Sequence, residues 1–211
     1  MKPSLSVKQV QLLDTAEDLF SKKGYGGTSV RDIAEAAGIN TAMISYYFGS
    51  KEKLMEEIFE RKSMNLLETV EKLLGDDNLD PFQKMYALVD MFIENIMSRK
   101  TFHRILLCEQ IINQSPIILQ LVEKMKIRNA ESMNNLIRLG QKKGLFKKSI
   151  DIPMMTNTLV GTVSHLLISL DFYKKYHGLE TMKDEDFERL VRKRLSTHLR
   201  TIFKAILTHE S

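Results

Sequence analysis

The stretch Thr28–Leu54, TSVRDIAEAAGINTAMISYYFGSKEKL, decides the fold. Ser29 followed three residues on by Asp32 fits a capping box at the start of a short helix. Val30, Ile33, Ala34 and Ala37 then fall on one face of it. Gly38 tolerates a positive φ and ends that helix. Asn40 is placed to cap a second short helix reaching Phe48, and Gly49 with Ser50 breaks the chain again. Two short helices joined by so tight a turn cross steeply, and Ala34 supplies the small side chain needed where they touch. Ile33, Ala37, Ile39, Ile44 and Phe48 are the apolar plugs against the preceding helix.

That packing leaves Asn40, Thr41, Ala42, Met43, Ser45, Tyr46 and Tyr47 available on the second short helix. They are short, polar or aromatic and carry no charge, which suits base edges better than bulk solvent. The major groove admits one helix and presents a distinct pattern for each base pair. In a helix-turn-helix the second helix reads bases from its N-terminal part, while the flanks hold phosphates. Thr28, Ser29 and Arg31 stand at a helix N-terminus, where hydroxyls, free N–H groups and the dipole favour phosphate. Lys51, at the next helix N-terminus, is expected to clamp a second phosphate. Tyr46 and Tyr47 can bond phosphates or pack on sugars and thymine methyls, contacts that position more than they specify. Three of these residues have second readings: Tyr47 as core, Arg31 as partner of Glu35 one turn on, and Met43 as packing.

Upstream, Val10, Leu13, Ala16, Leu19 and Phe20 form one face of a first helix, which Gly24, Gly26 and Gly27 stop. Downstream, a longer helix starts near Lys51 and carries Leu54, Ile58, Leu66, Leu67, Val70 and Leu74. Asp80 with Pro81 and Ser115 with Pro116 mark two further helix starts, and Pro153 marks another. A final helix begins at Asp184. With 10 Gly and 4 Pro there are few breakers, and no convincing strand is read. The expected fold is all-α, with about nine helices: a three-helix helix-turn-helix domain at 1–53 and a larger helical ligand-binding and dimerisation domain at 54–211.

Composition narrows the function classes. Net charge is +4, but up to Lys53 seven basic residues (Lys2, Lys8, Lys22, Lys23, Arg31, Lys51, Lys53) face six acidic ones (Asp14, Glu17, Asp18, Asp32, Glu35, Glu52). DNA binding is therefore argued from pattern, not from a basic arm. Cys108 is the single cysteine, which excludes an intrachain disulfide and a cysteine metal site. The 5 histidines (His103, His165, His177, His198, His209) have no metal-ligand spacing. No glycine-rich phosphate loop follows a strand and no nucleophile sits in a recognisable turn, so no enzyme, cofactor or metal is expected. The start of the chain reads as no signal peptide, and no apolar run reaches the roughly 18 residues of a membrane span, so a cytoplasmic, nucleoid-associated location is expected.

Thr28–Val30, DIAEAAGI at Asp32–Ile39 and SYYFGSKEKL at Ser45–Leu54 together resemble the DNA-binding region of the TetR family of regulators. The match covers roughly the first quarter of the chain; beyond it only helix number and length agree. Ser45 departs from the pattern, since that family often has Tyr there. The resemblance implies a variable helical domain that binds a small ligand and dimerises.

The later residues are compatible with that implication. Leu159, Val163, Leu166, Leu167 and Leu170 make one broad apolar face, and Thr158, Thr162, His165 and Ser169 make a second, smaller stripe flanked by Gly161. A helix buried on two sides needs two partners. The expected dimer interface is Leu159, Val163, Leu167 and Leu170 with Leu195, Leu199, Ile202 and Ile206 of the last helix. Methionines adapt to irregular apolar pockets, and the expected pocket is Met64, Met85, His103, Leu107, Met125, Met133 and His165. Cys108, Glu109 and Asn113 are further polar groups on apolar stretches. The expected partners are double-stranded DNA, a second copy and a small, largely apolar effector that shifts the population toward a DNA-incompetent form. Repression is the expected output, with ligand-dependent activation or a helical scaffold without DNA binding as the alternatives.

Overall fold

The computed structural model of the chain describes residues 5–208, apart from the side chains of 63–67. Among the described residues every regular element is helical: α1 (Val7–Lys23), α2 (Val30–Ala36), α3 (Thr41–Phe48), α4 (Lys51–Gly75), α5 (Pro81–Met97) and α6 (Lys100–Cys108) come first. A π-helical turn (Glu109–Asn113) follows, then α7 (Pro116–Lys142), α8 (Ile152–Ile168), α9 (Leu170–Tyr176) and α10 (Asp184–Leu207). None of these helices is long and apolar enough to cross a membrane.

The starts have local causes. Ser6 and Gln9 form a capping box on α1, and Asp80 and Gln83 form another on α5, whose Pro81 occupies the first turn. Asp151 accepts from the Met154 N–H at the start of α8. Two breaks lack a glycine or proline and raise the helix number above nine. One, at Arg99, separates α5 from α6. The other falls at Ser169, between Leu167 and Leu170 of the face that the sequence pattern runs through without interruption. There the Ser169 hydroxyl donates to the His165 carbonyl oxygen at 2.9 Å.

The chain packs as two compact units. One holds the described residues up to Asn65 together with Arg99–Met125; the other holds Leu66–Ser98 together with the described residues from Lys126 onward. The first has a core of Leu12, Leu13, Ala16, Phe20, Ile33, Ile44, Leu54, Met55, Ile58, Phe59, Phe102, Ile105 and Ile118, among others. The second centres on Met85, Leu88, Phe92, Leu136, Leu159, Val163, Leu195, Leu199 and Phe203. Burying each such side chain contributes about 1.5–3 kcal/mol, so the three short helices of the first unit are held by packing rather than by their own propensity.

The second unit removes four residues, Leu159, Val163, Leu195 and Leu199, from the expected dimer interface. Leu159, Val163, Leu195 and Leu199 lie in this unit's own core, and Leu167, Leu170, Ile202 and Ile206 are half-buried against it. The broad apolar face of α8 turns Leu159 and Val163 inward, while the stripe of Thr158, Thr162 and His165 stays half-buried or exposed. On α8 and α9 the large apolar side chains left exposed are Met154, Ile168, Phe172 and Tyr176.

Candidate nucleic-acid interface

Ser29 and Asp32 set the N-terminus of α2. The Asp32 N–H donates to Ser29 Oγ at 3.1 Å, and the Ser29 N–H donates to Asp32 Oδ2 at 2.7 Å. The Ser29 hydrogen bonds, first of all, hold the Asp32 carboxyl below the usual carboxylate range. The Val30 and Arg31 amides precede the first intrahelical bond, from Ile33 N–H to the Ser29 carbonyl, and remain aimed at whatever lies ahead of the helix. Arg31 is exposed.

Gly38 joins α2 to α3. With φ at +65° it lets its own N–H reach the Glu35 carbonyl at 3.1 Å and the Ile39 N–H reach that of Ala34 at 3.0 Å, the paired bonds of a Schellman motif. Asn40 Oδ1 accepts from the Ala42 N–H at 2.9 Å and starts α3. Ile44 is buried, and Ala37, Ile39, Tyr47 and Phe48 pack partly against the same core. The opposite face presents Thr41, Ala42, Ser45 and Tyr46, with Tyr46 80% exposed. Met43 and Tyr47 are half-buried at its edges, and the Tyr46 and Tyr47 rings meet edge-on at 5.4 Å. A short helix with an uncharged outward face is thus held rigidly beside a helix N-terminus.

Two expected phosphate contacts need correction. Thr28 is 1% exposed, and its hydroxyl donates to the Gly24 carbonyl oxygen at 2.8 Å, closing the turn between α1 and α2. It shapes the site without reaching out of it. Lys51 is half-buried; its ammonium donates to the Tyr25 carbonyl oxygen and lies 4.0 Å from the centre of the Tyr25 ring. Burial is the main cause holding that ammonium below the usual lysine range.

Tyr25 joins the site although no sequence motif marks it. It is buried, its hydroxyl donates to Glu52 Oε1 at 3.3 Å, and its N–H donates to Glu109 Oε1 at 2.8 Å. Burial, and then the Glu52 carboxylate, push its hydroxyl above the ordinary tyrosine range. The one available signal was an aromatic residue set between Gly24 and Gly26.

The expected pocket residues fall in both units. Met85 and Met133 are in the core of the second, and Met125 packs partly against that of the first. His103 and Leu107 are half-buried in α6, and burial lowers the His103 pKa. His165 lines an open groove with Thr162, Ser169, Tyr173, Arg194 and His198. The side chain of Met64 lies outside the described residues.

Capped α2, the glycine turn and outward-facing α3 define a helix-turn-helix protein. Residues 12–58 match the model of the bacterial regulatory proteins of the tetR family. The HTH-type transcriptional repressor NicS of Pseudomonas putida is 32% identical over 146 residues, 67% of this chain and 66% of its own length. The uncharacterized HTH-type transcriptional regulator YerO of Bacillus subtilis is 24% identical over 167 residues, 78% of this chain and 57% of its own length. Both matches span less than two thirds of the relative. Among solved structures, the fatty acid degradation regulator FadR of Bacillus halodurans superposes with a TM-score of 0.70 at 20% identity, over 94% of this chain and 97% of that one. FadR of Bacillus subtilis, described in complex with stearoyl-CoA, superposes at 0.65 with 17% identity, over 90% and 96%. Residues 12–58 thus carry the region described by the model of the tetR family of bacterial regulatory proteins.

Proposed function

We propose that the protein is a transcriptional repressor that binds a palindromic operator as a dimer and is released by a small, largely apolar ligand. On this reading residues 1–53 are the DNA-binding domain and 54–211 the ligand-binding and dimerisation domain. The observation that carries it is the exposed face of α3, where Thr41, Ala42, Ser45 and Tyr46 leave the core uncharged and available. In the complex α3 enters the major groove, while Ser29, Arg31 and the first amides of α2 hold phosphate. The protein binds rather than catalyses, and it works on the nucleoid in the cytoplasm.

Dimerisation is assigned to the outward faces of α8, α9 and α10. Ile168, Phe172 and Tyr176 are 68–75% exposed there, and Thr158, Gly161 and His165 are small or polar enough to admit a close partner. Exposed apolar groups in such a cluster are commonly covered by a partner, and a twofold axis supplies one without further invention. Repression needs only occlusion of a promoter, which favours it over activation. Selection of bound duplexes from a random pool tests the DNA step. Release from the selected duplex tests the ligand step, with long-chain acyl-CoA as the first probe, because a protein of the same fold is described with stearoyl-CoA.

A further inference from the structure

The carboxylate of Glu109 is 0% exposed, on the first residue of the π-helical turn after α6. Its Oε1 accepts from the Tyr25 N–H at 2.8 Å and from Asn113 Nδ2 at 2.9 Å, while Oε2 has no hydrogen-bond partner among the described residues. A buried carboxylate with an idle oxygen is costly. The bond it secures is to one backbone amide in the turn between α1 and α2. The turn fits closely: a Cβ on Gly24 would stand 3.1 Å from Asn113 Nδ2. The segment presenting Glu109 is wider than an α-turn and ends at Gln114, whose φ of 50° makes it the one described non-glycine residue with positive φ. Such π-turns occur frequently at functional positions.

Tyr25 is held at every polar atom, its N–H by Glu109, its carbonyl by Lys51 and its hydroxyl by Glu52. Gly26, Gly27 and Thr28 then lead directly to Ser29 and α2. We infer that Glu109 is a positioning residue for operator binding: through the Tyr25 amide it fixes the turn that aims the N-terminus of α2 at phosphate. The inference rests on the operator-binding reading above. Glu109 touches no DNA in it; its effect passes through Ser29 and Arg31.

The test measures affinity for the selected duplex at several salt concentrations, using the full chain as wild type, E109A and E109Q, with active fractions set by stoichiometric titration. E109A should bind about tenfold more weakly, and its salt slope should shrink by about 1.8, the loss of one charged phosphate contact from each protomer of the dimer. Mere destabilisation would lower the active fraction and leave the slope alone. E109Q keeps shape and acceptor but loses charge assistance; it should bind about threefold more weakly, with faster exchange of the Tyr25 amide. Should E109A not fold, E109Q decides. Wild-type affinity and slope in a folded E109Q overturn the inference, whatever the exchange rate. A wild type that selects no duplex overturns the operator reading itself, and this inference with it.

Discussion

Lys51 lies over the ring of Tyr25 while donating a hydrogen bond to the carbonyl oxygen of the same residue. One side chain thereby pins the start of α4 to the turn between α1 and α2 by two independent interactions. A partly desolvated cation–π contact contributes about 0.5–2 kcal/mol, and a charged hydrogen bond about 1.5–3 kcal/mol. Lys51→Ala should therefore destabilise the protein by about 1–3 kcal/mol in urea unfolding. Lys53→Ala, two residues along and mostly exposed beside Glu56, should change stability by about 0.5 kcal/mol or less. Equal effects would mean that Lys51 is a free surface lysine.

Gly38 makes a second, local prediction. Its φ of +65° carries both Schellman bonds, and no atom lies within 4 Å of where a Cβ would stand. The cost of Gly38→Ala is thus conformational rather than steric, about 1–2 kcal/mol. It should show as a lowered Tm, with a near-native circular dichroism spectrum.

Tyr46 separates binding from folding. Being 80% exposed, it contributes little to the core, and Tyr46→Ala should change stability by about 0.5 kcal/mol or less. The same substitution should weaken operator binding at least about tenfold, roughly 1.4 kcal/mol. Thr28→Val should behave in the opposite way: it removes the hydroxyl bond to Gly24, costs about 1 kcal/mol of stability and leaves the selected sequence unchanged.

Phe172 and Leu199 distinguish interface from core. Phe172→Arg combined with Ile168→Asp alters two exposed side chains and should give a folded monomer in sedimentation velocity. Leu199→Ala opens the second unit's core and should cost about 2–5 kcal/mol of stability. A variant pair that remains dimeric would remove the interface from α8 and α9.

His103 supplies a pH dependence. Burial lowers its pKa below the ordinary 6.5, so at pH values between the folded and unfolded pKa the unfolded chain binds more protons. Stability then falls as pH drops below about 6.5 toward the folded pKa. His103→Gln should flatten this part of a urea-midpoint profile, and an unchanged profile would exclude His103 as its source.

Much of the first unit was legible because its signals are local. Ser29 with Asp32, Gly38 and Asn40 each act within a few residues, and each appears in the structure in the expected part. Legibility stops where distance enters. Glu109 and Tyr25 meet across 84 residues of sequence, and no periodicity joins them. Thr28 looks the same in sequence whether its hydroxyl meets phosphate or the Gly24 carbonyl. Leu159 and Val163 are apolar in either reading, so pattern alone could not tell the protomer's core from a dimer face. The break at Ser169 is announced by no glycine or proline.

The most direct test of the operator reading is selection of bound duplexes from a random pool by the full chain, beside a Tyr46→Ala, Arg31→Ala control. The account predicts an enriched palindrome whose half-sites lie about one helical turn, roughly 34–36 Å, apart, with no enrichment by the control. A folded, dimeric wild type that enriches no sequence at low salt would contradict it and leave a helical scaffold as the better description.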